Sequence, residues 1–220
     1  MDNRPIKVRT IIFTEACPLD CRYCDLKNDK EFGKVPTISK EKLFEMVEIF
    51  NKEDNAEEIN TRLLFSGGEP LLYWDWIKEI IEKYQYRFQY GFNTSGYLFT
   101  DEILKFLSNY DVYLNLSVDG NIKLTNYLRP VINSPYHTGY RKRLEQILPT
   151  LLFYFPNTPY KIIIHPRYVD LLHEMYRDAA ELGFKFFSFI LDFESRPERI
   201  LDKNKELIYW NDNYTEILQQ

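Results

Sequence analysis

Glycine is scarce in this chain: 220 residues hold 8, beside 11 prolines and 3 cysteines. So few glycines exclude a collagen-like repeat and a Gly-rich linker, and they make any glycine pair a position to account for. No apolar run approaches the roughly 18 residues that span a bilayer, and the start, Met1-Asp2-Asn3-Arg4-Pro5-Ile6-Lys7, lacks the apolar stretch of a secretory signal. The expectation is a cytoplasmic chain with no membrane partner. There is no basic surplus either, with 28 Lys and Arg against 33 Asp and Glu, so no nucleic-acid partner is expected. Three cysteines cannot all pair, and Cys17, Cys21 and Cys24 fall within eight residues, which suits a metal site better than a disulfide framework.

What is abundant is apolar and aromatic. Hydrophobic residues make up 45% of the chain, with 16 Phe, 17 Tyr and 3 Trp, enough to bury one core. The pattern alternates short β-rich runs with amphipathic helices. Strands are predicted over Ile6–Phe13, Arg62–Phe65, Phe88–Phe92, Val112–Val118, Tyr160–Ile164 and Phe184–Leu191. Helices are predicted over Ser39–Asn51, Tyr73–Tyr84, Thr100–Leu107, Tyr140–Phe153, Asp170–Leu182 and Lys205–Leu218, with Ser39 and Thr100 as N-caps and Gly183 closing the fifth. A long loop separates the fourth strand from the helix after it. Consecutive β-α units demand a parallel sheet, curved into a barrel or opened as a doubly wound sheet. A single α/β domain spans 1–220, with its motif-bearing core at about 6–194 and a loop and helix at 195–220.

Residues that a bare fold does not request gather at one position in each unit. The cysteines follow the first strand, Gly67-Gly68-Glu69-Pro70 the second, Asn93-Thr94-Ser95-Gly96 the third and Ser117-Val118-Asp119-Gly120 the fourth. His165 ends the fifth, and Asp192 and Glu194 end the sixth. Parallel strands bring all these ends to one face, where β/α folds build ligand sites. Turn chemistry accounts for each Gly, Asn and Asp alone, but not for the cysteines. Zinc sites favour paired C-x2-C or Cys with His, and His137, His165 and His173 lie far from the cysteines. A C-x3-C-x2-C loop instead supplies three thiolates, one short of the four that close an electron-transfer cubane. The remaining iron would be open to a ligand, which points to chemistry rather than electron storage.

Cys17-Pro-Leu-Asp-Cys21-Arg-Tyr-Cys24 with Gly67-Gly68-Glu69-Pro70 downstream resembles the radical S-adenosylmethionine (SAM) superfamily, and the later turns occur in that family's order. The resemblance implies a partial (β/α)6 barrel of parallel strands, a [4Fe-4S] cluster and SAM. It implies that Cys17, Cys21 and Cys24 ligate three irons and that Tyr23 lies by the adenine. Glu69, after Gly67 and Gly68, would meet the SAM ammonium, Ser117 and Asp119 a ribose or carboxylate, and Arg129 the SAM carboxylate. Asn93 and Ser95 would lie near the sulfonium or the substrate. His165 and Asp192 are the weakest candidates, for a catalytic role at the substrate.

The cysteine loop together with Ser-Val-Asp-Gly is most similar to enzymes that modify peptides or proteins. That reading implies a peptide or protein substrate and an external one-electron reductant such as flavodoxin or ferredoxin. Many such maturases carry a cysteine-rich C-terminal extension, and no cysteine follows Cys24. The expectation is therefore a minimal form or a catalytic core continued by further residues. A glycyl-radical activating enzyme or a 7-carboxy-7-deazaguanine synthase-like enzyme fits the missing extension. A non-catalytic iron-sulfur or zinc binding module is the alternative outside enzymes.

Overall fold

The computed structural model describes residues 6–24, 26, 37–57, 59–119, 122–133, 135–164 and 166–191. Six strands form one parallel sheet in the order of the sequence: β1 (Ile6–Ile12), β2 (Asn60–Ser66), β3 (Gln89–Thr94), β4 (Val112–Ser117), β5 (Pro159–Ile164) and β6 (Phe186–Leu191). The order never reverses, so the doubly wound alternative is set aside; the sheet is the partial (β/α)6 barrel, left open between β1 and β6. Registers are unequal. β1 pairs with β2 along its whole length, from Ile6 opposite Asn60 to Ile12 opposite Ser66, whereas β4 and β5 pair only at Leu116 opposite Tyr160 and Ser117 opposite Lys161.

Alternation along the strands divides the sheet into two faces. Thr61, Leu63 and Phe65 of β2, Tyr90 and Phe92 of β3, Leu114 and Leu116 of β4, and Tyr160 and Ile162 of β5 are buried beneath the helices. The helices answer at 3.6-residue spacing. Helix α1 (Lys40–Ala56) buries Leu43 and Val47, and α2 (Trp74–Tyr84) buries Ile77, Ile80, Ile81 and Tyr84. The short α3 (Asp101–Leu107) contributes Ile103, Leu104 and Leu107. Helix α5 (Tyr140–Tyr154) contributes Tyr140, Leu144, Ile147, Leu148 and Leu151, and α6 (Leu172–Glu181) contributes Met175 and Ala179. The opposite strand face carries Arg62, Gln89, Asn93, Tyr113, Asn115 and Ser117 across the inside of the half-barrel; Arg62 lies 4.3 Å over the Tyr113 ring, and Asn115 donates to Asn93 at 2.7 Å.

The caps sit at the expected residues. Ser39 accepts from Lys42 N at 3.3 Å, Thr100 accepts from Ile103 N at 3.2 Å, and Gly183 takes φ +93° after α6. Element ends shift by a residue or two, and two differences are larger. Helix α1 runs a further turn, to Ala56, because Asp54 is drawn into a buried ion pair with Arg9 of β1. Residues 122–128, expected in a long loop, form the short helix α4 (Ile122–Leu128). It buries Leu124, Thr125 and Leu128, a stripe with only two apolar residues, which gives little periodicity. The predicted helix Lys205–Leu218 lies outside the described residues.

Candidate active site at the cysteine loop

The cysteine loop leaves β1 and is held from two sides by backbone. On one side Leu19 bridges Val131 in antiparallel fashion, Asp20 N donates to Pro130 O at 2.8 Å, Arg22 N to Leu128 O at 2.9 Å and Ile132 N to Pro18 O at 2.9 Å. The segment after α4 is thus a docking strip for the loop. On the other side Gly68 N donates to Thr14 O and Glu69 N to Ala16 O, each at 2.8 Å. A Cβ on Gly67 would stand 2.3 Å from Thr14 O and one on Gly68 2.2 Å from Ala16 O, both backbone atoms. The glycine pair is needed because the cysteine loop itself presses against it.

Glu69 follows and is fully buried. Its carboxylate caps the 3-10 turn Pro70–Tyr73 through Leu71 N at 3.4 Å. It also accepts from Thr94 Oγ1 at 2.6 Å, Ser95 N at 3.0 Å and the Ser95 hydroxyl. Burial pushes the Glu69 carboxyl up, while these four donors pull it back toward the charged form. A carboxylate offers about four lone-pair sites, and all are taken. Glu69 therefore brings a charge to the cleft wall on oxygens already engaged by these four donors.

At the end of β4, Asp119 takes φ +57° and is buried against Arg129. Arg129 Nε and Nη2 lie 2.8 and 2.5 Å from Asp119 Oδ2, the Tyr23 hydroxyl donates to the same oxygen, and Arg129 Nη1 stands 3.6 Å from Cys21 Sγ. Arg129 also packs 5.3 Å over the Tyr23 ring. Burial acts to lower the Arg129 pKa, but the Asp119 and Cys21 charges outweigh it, and the guanidinium stays protonated. The chain so makes a closed loop: Cys21 and Tyr23 are both tied to one ion pair. Tyr140 Oη lies 2.7 Å from Ser95 O and 2.6 Å from Ser117 O, joining the turns after β3 and β4. Asn93 donates to Ser66 Oγ at 3.0 Å and accepts from Asn115, a polar ladder across β2, β3 and β4.

These groups share one cleft of about 730 Å³, counting the space at its mouth. Cys17, Cys21, Cys24 and Tyr23 line it with Gly67, Gly68, Glu69, Asn93, Ser95, Ser117 and Arg129. Asp119 stands behind Arg129 rather than on the wall. Gly120, His165, Asp192 and Glu194 lie outside the described residues. Sequence reasoning named Arg129 but passed over Thr94, Tyr140, the rest of the strip 128–133 and Lys161. Thr94 sat inside a noted turn, but Tyr140 and the strip carry no local signal, since their roles arise from chain segments that meet only in the fold.

The donor set fits an iron-sulfur cubane. Three half-buried cysteines on one short loop face one cleft, and a cubane takes thiolates at separate corners. The family model described as the radical SAM superfamily matches residues 11–143, which contain every cleft residue named above. The chain belongs to the radical SAM superfamily.

Among relatives of this radical SAM protein, the 7-carboxy-7-deazaguanine synthase of Methanocaldococcus jannaschii is 31% identical over 148 residues, covering 63% of this chain and 57% of that protein. The radical SAM cyclopropyl synthase TigE of Paramaledivibacter caminithermalis is 26% identical over 131 residues, covering 52% of this chain and 27% of that one. The chain thus spans little more than half the length of the first relative and about a quarter of the second. In structure it resembles anSMEcpe solved with AdoMet and the Cp18Cys peptide, with a TM-score of 0.73 at 22% identity over 98% of this chain and 58% of that one. It also resembles Streptococcus suis SuiB bound to the precursor peptide SuiA, with a TM-score of 0.59 at 16% identity over 86% of this chain and 39% of that one. At these identities the two structures speak to the fold, an incomplete barrel of parallel strands.

Proposed function

We propose that this chain is the catalytic core of a radical SAM enzyme that abstracts hydrogen from a C–H bond of a peptide or protein. The observation that carries the reading is the single cleft in which three cysteines, the glycine pair, Glu69 and Arg129 meet. Cys17, Cys21 and Cys24 hold three irons as thiolates. When bound, the [4Fe-4S] cluster and SAM supply a one-electron reductive cleavage that yields methionine and a 5′-deoxyadenosyl radical, with electrons from a flavodoxin- or ferredoxin-type donor.

The chain's own residues orient and enclose. Arg129, fixed by Asp119, presents a donor to the Cys21 sulfur and a positive field to a SAM carboxylate. Glu69 sets a fixed negative charge toward the SAM ammonium, Ser117 faces the nucleoside, and Tyr23 closes the loop side. Asn93 and Ser95 line the cleft at the end of β3 and offer polar contacts near the sulfonium or the substrate. Phe65, packed against Phe13 and Phe92 in the buried core, steadies the ends of β1, β2 and β3 behind the cleft.

Support for a peptide comes from the two solved structures, which hold bound peptides. A second reading, a small heteroaromatic substrate, is favoured by the 31% identity to the deazaguanine synthase. The test incubates anaerobically reconstituted protein with dithionite and SAM. We expect 5′-deoxyadenosine from the wild type and none from Cys17→Ala. Equal yields from the two proteins, or none from a wild type with an intact cluster, would overturn the reading.

A further inference from the structure

Ser117 on the cleft wall has one neighbour across the sheet that no step above uses. In the short β4–β5 register it stands opposite Lys161, and parallel partners in register project to the same face, so the Lys161 side chain enters the half-barrel beside Ser117. Its flanking residues, Tyr160 and Ile162, are buried on the other face, beneath the helices. Lys161 is itself partly buried. Among the described residues no carboxylate lies within ion-pair distance of its ammonium. The acid whose field reaches it is Asp119, already bound by Arg129, and the Arg129 cation repels it. Burial, first, and that repulsion lower the Lys161 pKa from its ordinary value.

An ammonium held in a half-buried position without a counter-ion is costly unless an anion completes it. Arg129, the cation that lines the cleft, has two of its nitrogens on Asp119 and the third at Cys21. Lys161 is thus the cation still open to a ligand on the β4–β5 side, one strand further from the cysteines than the cleft wall. Backbone holds its position: Lys161 O accepts from Val118 N at 3.2 Å and from Asp119 N at 3.4 Å.

We propose that Lys161 is a substrate-specificity residue that binds a carboxylate of the molecule to be modified. The proposal rests on the reading of the cleft as a radical SAM site and names the chemistry its substrate must carry. An acidic side chain of a peptide and the acid group of a heteroaromatic molecule offer the same oxygens, and the experiment separates them.

Reconstituted, SAM-loaded full-length protein is titrated calorimetrically with two acid–amide pairs. One is acetyl-Ala-Glu-Ala-amide against acetyl-Ala-Gln-Ala-amide, the other quinoline-2-carboxylate against quinoline-2-carboxamide. We expect the acid of one pair to bind about tenfold tighter than its amide, in keeping with a charge-assisted contact. That preference should vanish in Lys161→Gln and persist in Lys161→Arg, with melting temperatures close to the wild type in both; the pair that responds identifies the source. Equal dissociation constants within both pairs, or a preference that survives Lys161→Gln, would overturn the proposal. So would a tenfold loss of SAM affinity in Lys161→Gln, which would place the ammonium on SAM's own carboxylate. Failure of the broader reading shows separately, as a wild type that makes no 5′-deoxyadenosine.

Discussion

Two of the arginine–aspartate pairs among the described residues, Arg9–Asp54 and Arg129–Asp119, are built from the same chemistry and have opposite surroundings. Arg9 and Asp54 join β1 to α1 on the helix side, with Nη2 2.7 Å from Oδ1. Lys7 at 2.9 Å and Thr61 Oγ1 at 2.9 Å complete the Asp54 carboxylate, and Arg9 spends its remaining reach on Glu53 at 2.8 Å. Every donor there ends on oxygen, and the result is a clamp. Arg129 and Asp119 stand at the sheet's carboxyl edge, where the guanidinium keeps one nitrogen for a sulfur and the aspartate adopts a left-handed backbone. That backbone costs roughly 1 kcal/mol for a residue with a Cβ. A pair kept only for stability does not need such a conformation, and the contrast separates a clamp from part of a site.

The comparison breaks most visibly through the arginines. Arg129→Gln leaves Asp119 buried without its partner, and we expect a loss of about 3 kcal/mol by denaturant unfolding. We also expect at least about a tenfold fall in 5′-deoxyadenosine formation per folded molecule, because orientation at the cleft is lost. Arg9→Gln should lower stability and leave that rate per folded molecule within about twofold. Equal rate losses in the two variants would erase the distinction.

Asp54→Asn sharpens the clamp side. Hydrogen bonds from Arg9 first, then Lys7 and Thr61, hold the Asp54 carboxyl well below the usual carboxylate range against the cost of burial. A depressed folded pKa means that the stabilisation is whole above the unfolded value of about 3.9 and fades as pH falls through the folded value. At neutral pH the variant should be about 2 kcal/mol less stable, less than a fully buried pair would lose because Arg9 is 21% exposed. Below pH 3 the two unfolding curves should approach one another, and a constant gap down to pH 2 would contradict the assignment. The smallest effect belongs to the surface pair Lys40–Glu79, whose side chains are 36% and 49% exposed. Removal of either charge should change the unfolding free energy by less than about 0.5 kcal/mol.

Much of the architecture was legible because its signals are local. Strand alternation, helical stripes, the Ser39 and Thr100 caps and the Gly183 stop each depend on neighbours within a few residues, and each is found in place. Helix α4 escaped because its buried stripe holds only two apolar residues, Leu124 and Leu128, whereas α3 of the same length buries three and has the Thr100 cap. The extra turn of α1 escaped because Asp54 reads as a solvated acid until Arg9, 45 residues away, is beside it. The cysteine spacing and the glycine pair marked loops that the fold brings to one cleft. The contacts of those residues were beyond reach: Glu69 turns to Thr94 and Ser95, Asp119 and Arg129 turn to each other, and Lys161 faces inward only through its register with Ser117.

The chain's residue order alone settled which chemistry is present, three thiols on one loop and a small set of polar turns each closing a strand, since covalent spacing and side-chain type travel with the sequence. Tertiary structure decided which of those groups are spent on one another and which remain to meet a ligand. Hydrogen bonds and ion pairs saturate, so a donor's role depends on whichever acceptor the folded backbone brings within about 3 Å.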